Sequence, residues 1–177
     1  MFAITKRLVL RPGWAEDAPA LAAAIGHEGV VRNLARAPWP YLLEDAEGFL
    51  ALPRAAEQPR FVVCERFDAH RLIGGVELMP GGEAWELGYW LTPDAWGRGY
   101  ATEAARAVLD IARHALGLHR VAARHYCDNP ASGRVLAKLG FRETGRARTY
   151  SLARGSEVEG VEMALGLSPP AAQALAA

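Results

Sequence analysis

The segment Trp96-Gly97-Arg98-Gly99-Tyr100-Ala101-Thr102-Glu103 sets two glycines and an alanine at alternate positions just ahead of a strongly periodic stretch. Small residues let a ligand approach the main chain closely. The first amides of a following helix have no intrahelical acceptor and carry partial positive charge. Such a loop can cradle an anion, and a diphosphate suits it. Two other phosphate loops do not fit. A P-loop requires Gly-Lys-Ser/Thr at its end. A dinucleotide fingerprint needs a third glycine, where Thr102 stands, and an acid about twenty residues on, whereas Asp110 comes too early. A plain structural turn remains the alternative.

A second constellation is Asn129-Pro130-Ala131-Ser132-Gly133-Arg134-Val135-Leu136-Ala137-Lys138-Leu139-Gly140-Phe141. Asn at a cap and Pro at the first helical position read as a helix start, which Gly140 would end. Ser132 and Leu136, four apart, share a face of that helix. Other chemistry finds little support. His125-Tyr126-Cys127 has no second His or Cys pair to complete a metal site, and no Gly-x-Ser-x-Gly elbow occurs. Cys64 and Cys127 are too few for a disulfide framework and read as small apolar residues on strands.

The elements that would position these residues form one mixed array. Ile4–Arg11, Phe61–Glu65, Leu72–Leu78, Ala84–Leu91, Arg120–Tyr126, Phe141–Thr144 and Val158–Leu165 read as strands. Helices are expected near Ala18–Ile25, Asp45–Leu52, Ala101–Leu116 and Ala131–Leu139. Turn signals at Asp68-Ala69-His70 and Pro80-Gly81-Gly82 make the middle strands an antiparallel meander. Pro38-Trp39-Pro40-Tyr41 forbids a regular helix between the first two. The order gives an α/β (α+β) fold: a mixed, mostly antiparallel sheet with helices packed on it. Residues 1–167 form one domain and 168–177 a flexible tail.

With 177 residues, 51% apolar and 23% charged, the chain has ordinary globular composition. It is expected to be cytoplasmic, with no membrane span and no secretory leader. Twenty basic residues balance twenty acidic ones, which argues against a nucleic-acid partner. The balance hides an asymmetry: residues 1–94 have a net charge of −4, residues 95–154 of +7 and the remainder of −3. The basic stretch holds both constellations and suits a small polyanion, while the acidic one could attract a cation.

Taken together at their spacing, Gly-Arg-Gly-Tyr-Ala-Thr-Glu-Ala and Asn-Pro-Ala-Ser…Lys-Leu-Gly-Phe resemble the GNAT superfamily of acetyl-CoA-dependent N-acetyltransferases, and most closely its Rim-type ribosomal-protein N-terminal acetyltransferases. Arg7-Leu8-Val9-Leu10-Arg11-Pro12, Ile73-Gly74-Gly75 and Glu86-Leu87-Gly88-Tyr89-Trp90-Leu91 extend the likeness. The resemblance implies a GNAT-like sheet with helices on both faces, splayed between its fourth and fifth strands. It implies acetyl-CoA as acetyl donor and a primary amine, such as a protein or peptide N-terminus, as acceptor. No metal is expected, for want of a second His or Cys pair. A monomer or homodimer is expected, since relatives often dimerise.

By the same resemblance, Gly97, Arg98, Gly99, Tyr100, Ala101 and Thr102 would bind the coenzyme A diphosphate. Trp90, Leu91 and Thr92 would run beside the pantetheine arm, and Asn129 and Ser132 would lie near the arm and the sulfur. Trp96 stands where the superfamily usually has Arg or Gln. Attack by the amine needs a base, for which Glu86 is the candidate and Glu77 the reserve. The leaving thiolate needs a proton or hydrogen bonds; many relatives offer a tyrosine where this chain has Leu136, so Ser132 is the candidate, with Tyr126 as another donor. Loops Gly26–Tyr41 and Arg146–Gly155 would shape the acceptor site. A non-catalytic acyl-CoA-binding domain and an acetyltransferase of small-molecule amines are the alternatives.

Overall fold

The computed structural model describes residues 1–167 except 54, 56, 69, 70 and 83. The tail expected over 168–177 and the far end of the turn expected at Asp68-Ala69-His70 lie outside the described residues. Eight strands form one sheet: β1 (Ala3–Ile4), β2 (Leu8–Arg11), β3 (Arg60–Glu65), β4 (Leu72–Met79), β5 (Trp85–Leu91), β6 (Arg120–Tyr126), β7 (Arg142–Ser151) and β8 (Ser156–Gly166). Five helices accompany them: α1 (Ala18–Ile25), α2 (Glu28–Val31), α3 (Leu43–Ala51), α4 (Tyr100–His114) and α5 (Pro130–Lys138). The spatial order is β1-β2-β3-β4-β5-β6-β8-β7, antiparallel throughout except for β5 and β6.

Strand alternation sorts the side chains onto two faces. Val76 and Leu78 of β4, Leu87 and Leu91 of β5, and Val121 and Ala123 of β6 meet Ala104, Ala105, Val108 and Ala112 of α4 in the main core. The hydrophobic stripe of α4 is what selects a helix there; Glu103 in its first turn and Arg113 and His114 in its last oppose its dipole favourably. Leu72 and Trp90 turn to the opposite face, where Ala18 and Leu21 of α1 and Ala46 of α3 cover them.

The parallel pair is short. Only Trp85–Leu87 of β5 pair with Val121–Ala123 of β6, although β5 runs on to Leu91 and β6 to Tyr126. Beyond Leu87 the two strands part, and the sheet is open between them. β8 then pairs β6 along the whole length of β6 and carries β7 on its other edge.

Some boundaries differ from the sequence reading. Ile4–Arg11 is interrupted because Arg7 turns away to bind Glu103. The strand expected at Phe141–Thr144 runs from Arg142 to Ser151, so much of the loop expected at Arg146–Gly155 is strand. Its alternation is carried by polar residues at the sheet margin and leaves no apolar signal. Within Gly26–Tyr41 the four-residue α2 is too short for a periodic pattern.

Gly74 holds the approach of β4 to β5. A Cβ there would lie 2.3 Å from Trp90 O and 2.6 Å from Leu91 Cδ2. A Gly74→Ala protein is expected to lose about 3 kcal/mol of stability by overpacking. At roughly 2–4 °C per kcal/mol for a chain of this size, a calorimetric melt should show a fall of about 6–12 °C.

Candidate active site

The loop before α4 is built for close approach. Gly97 and Gly99 have φ of +73° and +78°, in the region L side chains rarely adopt. Nothing lies within 4 Å of where a Gly97 Cβ would sit, so the space beside Gly97 is open. The first amide of α4 to find a backbone acceptor is that of Glu103, which donates to Gly99 O at 3.1 Å. Among the described residues the amides of Tyr100, Ala101 and Thr102 have none, and no side chain caps them. An anion is the natural partner for such a cluster.

Side chains of the same loop point inward and fix it. The Tyr100 phenol donates to Glu65 Oε1 at 2.9 Å, and the guanidinium groups of Arg7 and Arg98 lie 4.5 and 4.8 Å from the Tyr100 ring centre. Arg7 donates to Glu103 Oε2 at 2.7 Å and to Arg98 O at 2.9 Å. Glu65 also receives Arg71 at 2.8 Å and faces Arg98 at 3.2 Å. Burial alone would raise the Glu65 carboxyl; Arg71, the Tyr100 phenol and Arg98 outweigh it and hold the group below its ordinary value. Tyr100 and Arg98 are thus braces as well as loop residues. The contacts of Arg7 with Glu103 and of Tyr100 with Glu65 span 96 and 35 residues of sequence.

The open edge of β5 faces the gap. Thr92 N–H donates to Ile73 O at 2.9 Å. Since amides alternate between the two edges of a strand, those of Trp90 and Thr92 face β4 and those of Tyr89 and Leu91 face the gap. The Trp96 indole donates to Leu91 O at 2.7 Å, tying the cradle to the end of β5.

Across the gap stands α5. Asn129 caps it, accepting from Ser132 N–H at 3.2 Å. Gly133 lets the helix approach β6, since a Cβ there would meet His125 Nε2 at 2.9 Å. Leu136 is fully buried in the main core. Tyr89, from β5, reaches over to Ser132: its Oη lies 2.8 Å from Ser132 Oγ and 3.0 Å from Ser132 O. Burial pushes the Tyr89 phenol up to about 12, against a smaller opposing pull from Ser132.

On the other face of the sheet, Glu77 lies opposite Gly88 and Glu86 precedes it. Burial raises the Glu77 carboxyl, although Arg60 and Arg36 pull it down. Glu86 faces Arg124 at 3.8 Å, and both side chains are about one-third exposed. Arg124 also donates to Thr149 Oγ1 at 2.6 Å. The turn between β7 and β8 closes one side: Arg154 donates to Arg32 O at 2.7 Å and to Asp128 Oδ2 at 2.7 Å, and lies 4.8 Å from the Tyr126 ring centre. Leu152 N–H donates to Ala35 O at 3.0 Å. Tyr41 packs against α1 and α2, while Trp39 is exposed.

The fold that frames this cleft is shared with known proteins. The family model described as "Acetyltransferase (GNAT) domain" matches residues 7–142. The chain belongs to the GNAT acetyltransferases. It is 33% identical over 165 residues to the uncharacterized N-acetyltransferase YoaA of Bacillus subtilis, covering 86% of this chain and 89% of that protein. The fold matches ribosomal-protein-S5-alanine acetyltransferase from Vibrio fischeri with a TM-score of 0.78 at 22% identity, over 94% of this chain and 96% of the other. It matches spermidine N-acetyltransferase from Vibrio cholerae, in complex with CoA and spermine, with a TM-score of 0.76 at 20% identity, over 92% and 96%. Rim-type proteins are therefore among its structural neighbours, and this GNAT protein is an acetyl-CoA-dependent acyltransferase.

Of the residues expected to serve this GNAT site, Gly97–Thr102, Leu91 and Ser132 border the gap or its mouth. Trp90 turns its side chain to the opposite face and, with Thr92, its amide to β4. Glu86 and Glu77 share the face opposite α4. Tyr126 is buried with an unpartnered hydroxyl. Sequence reasoning missed the reach of Tyr89 to Ser132, a contact across 43 residues with no local signature. It also missed the inward bracing by Glu65. Among the described residues no three His, Cys, Asp or Glu side chains group as a metal site would need, and no helix is long and apolar enough to cross a membrane.

Proposed function

We propose that the protein transfers the acetyl group of acetyl-CoA to a primary amine by direct attack, and that a peptide or protein α-amine is the acceptor. The observation that carries this reading is the gap itself: unpaired amides of Tyr89 and Leu91 on one wall, Ser132 on the other, and the cradle at the mouth. The amides of the cradle (Gly97–Thr102) receive the diphosphate. Those of Tyr89 and Leu91 hold the pantetheine arm and polarise the thioester carbonyl, a stabilisation that strengthens as charge develops on oxygen. Asn129 holds the start of α5, and so Ser132, beside the sulfur.

Both carboxylates of the opposite face can receive the ammonium form of the acceptor. Glu77 is the better base, because burial has raised its affinity for a proton. Glu86, set against Arg124, orients the amine. The ammonium first gives one proton to solvent; the neutral amine nitrogen then forms the C–N bond, the C–S bond breaks with its electron pair on sulfur, and the proton lost by the acylated nitrogen passes to Glu77. With an unperturbed thiol pKa near 8.5, the departing thiolate needs only a hydrogen bond, which Ser132 supplies. Ser132→Ala is expected to lower kcat about tenfold with little change in coenzyme affinity, the cost of one hydrogen bond to a charged sulfur; unchanged turnover removes serine from the mechanism.

The second reading is a small polycationic amine. The ties from the β7–β8 turn to Arg32 and Ala35 narrow the acceptor side, and a spermidine N-acetyltransferase shares the fold. Thiol release from acetyl-CoA, measured against a panel of N-terminal peptides and polyamines, decides between them. Turnover on peptides alone supports the first reading, on polyamines alone the second. Coenzyme binding without transfer to any amine overturns both.

A further inference from the structure

Tyr89 and Ser132 are joined by two contacts that one phenolic proton cannot serve at once. The Tyr89 Oη–H can be given to Ser132 O, 3.0 Å away, or to Ser132 Oγ, 2.8 Å away. In the first case the serine hydroxyl is left to donate to Tyr89 Oη, so its one proton points at the ring and away from the gap. In the second, the serine proton is free for a third atom. Each hydroxyl proton is a rotor whose direction the surrounding acceptors decide. Ser132 N–H is already given to Asn129, so the backbone under the hydroxyl does not move with it.

Tyr89 reaches Ser132 from the free part of β5, beyond the last residue paired with β6. The pair therefore crosses from β5 to α5 on the face packed against α4, beside the path proposed for the pantetheine arm. The phenol keeps its proton at neutral pH, since burial holds its pKa at about 12. It is a donor throughout the working range of an amine acetyltransferase.

We infer that Tyr89 is a positioning residue for the leaving group: its phenol donates to Ser132 Oγ and thereby turns the serine proton onto the sulfur. This rests on the acetyl-transfer reading above and adds to it a second residue that touches no reacting atom. As the C–S bond breaks and its electron pair collects on sulfur, the chain Tyr89 Oη–H to Ser132 Oγ–H to sulfur becomes aligned. Each hydrogen bond in it polarises the next. No proton leaves Tyr89; the amine proton goes to Glu77 and the product thiolate leaves as such. Leu136 offers no hydroxyl on the neighbouring turn of α5, so the phenol comes from the strand instead.

The test is a double-substitution cycle on the whole protein, with acetyl-CoA and whichever amine the panel identifies. Tyr89→Phe is expected to lower kcat about tenfold and to leave KM for acetyl-CoA within about twofold. In a Ser132→Ala background the same change should have no further effect, because the phenol acts only through that hydroxyl. Site-specific Tyr89→3-fluorotyrosine keeps the hydroxyl and strengthens it as a donor, and should retain wild-type kcat. An equal loss on both backgrounds would mean that Tyr89 supports the wall by packing, and would overturn the inference. Full kcat in Tyr89→Phe while Ser132→Ala is impaired would also overturn it, leaving the serine reading intact. If neither substitution lowers kcat, the serine reading fails and the inference fails with it.

Discussion

The Gly99→Glu protein is expected to bind coenzyme A about 100-fold more weakly than the wild type, or not at all. Two effects act in the same direction. Gly99 sits at φ +78° as the cap of α4; a side chain there lets the free loop relax out of the left-handed region, and restoring it on binding costs about 1–2 kcal/mol. A carboxylate at the helix start also competes for the amides of Tyr100, Ala101 and Thr102 and repels a diphosphate. About 2.7 kcal/mol in all corresponds to 100-fold. Space is not the obstacle, for the nearest atom to an added Cβ is Arg7 Nη2 at 3.6 Å. Gly99→Ala therefore isolates the backbone term and should weaken binding only about 5- to 30-fold. Titration calorimetry with coenzyme A measures both. Wild-type affinity in Gly99→Glu would move the diphosphate away from this loop and remove the basis of the assignment.

The geometry of the cradle was legible in the sequence because it is a main-chain property. Alternating small residues before a strong apolar stripe require positive φ and free amides whatever the rest of the fold does, and Arg120–Tyr126 announced its strand just as locally through its apolar alternation. The braces were not legible. Arg7, Glu65 and Arg98 are ordinary charged residues until β2, β3 and the loop meet around Tyr100. The same is true of Tyr89, whose hydrogen bond to Ser132 joins residues 43 apart in sequence. The sequence reading put Glu86 first and Glu77 in reserve, and alternation sets both on one face. What separates them is tertiary: Arg124 stands beside one, and burial acts on the other.

That separation fixes the sign of two effects of Glu77→Gln. The change removes the proposed base, and kcat/KM should fall about 10²- to 10³-fold, the usual worth of general-base catalysis. Stability should move the other way. Because burial raises the folded-state pKa of Glu77, the folded protein binds the proton more tightly than the unfolded chain. Burying the charged form costs stability that is fully felt above the folded pKa, and the cost fades as pH falls through that pKa toward the unfolded value. Gln carries no charge, so at neutral pH the Glu77→Gln protein should melt slightly higher than the wild type, with the difference disappearing in acid. A residue retained at a cost to stability, whose loss silences turnover, has its reason in the chemistry. Glu86→Gln provides the comparison: it should cost well under 100-fold, felt mainly in KM for the amine. If instead Glu86→Gln abolishes turnover and Glu77→Gln leaves it within twofold, the proton goes to Glu86, and the raised affinity of Glu77 is a consequence of packing alone.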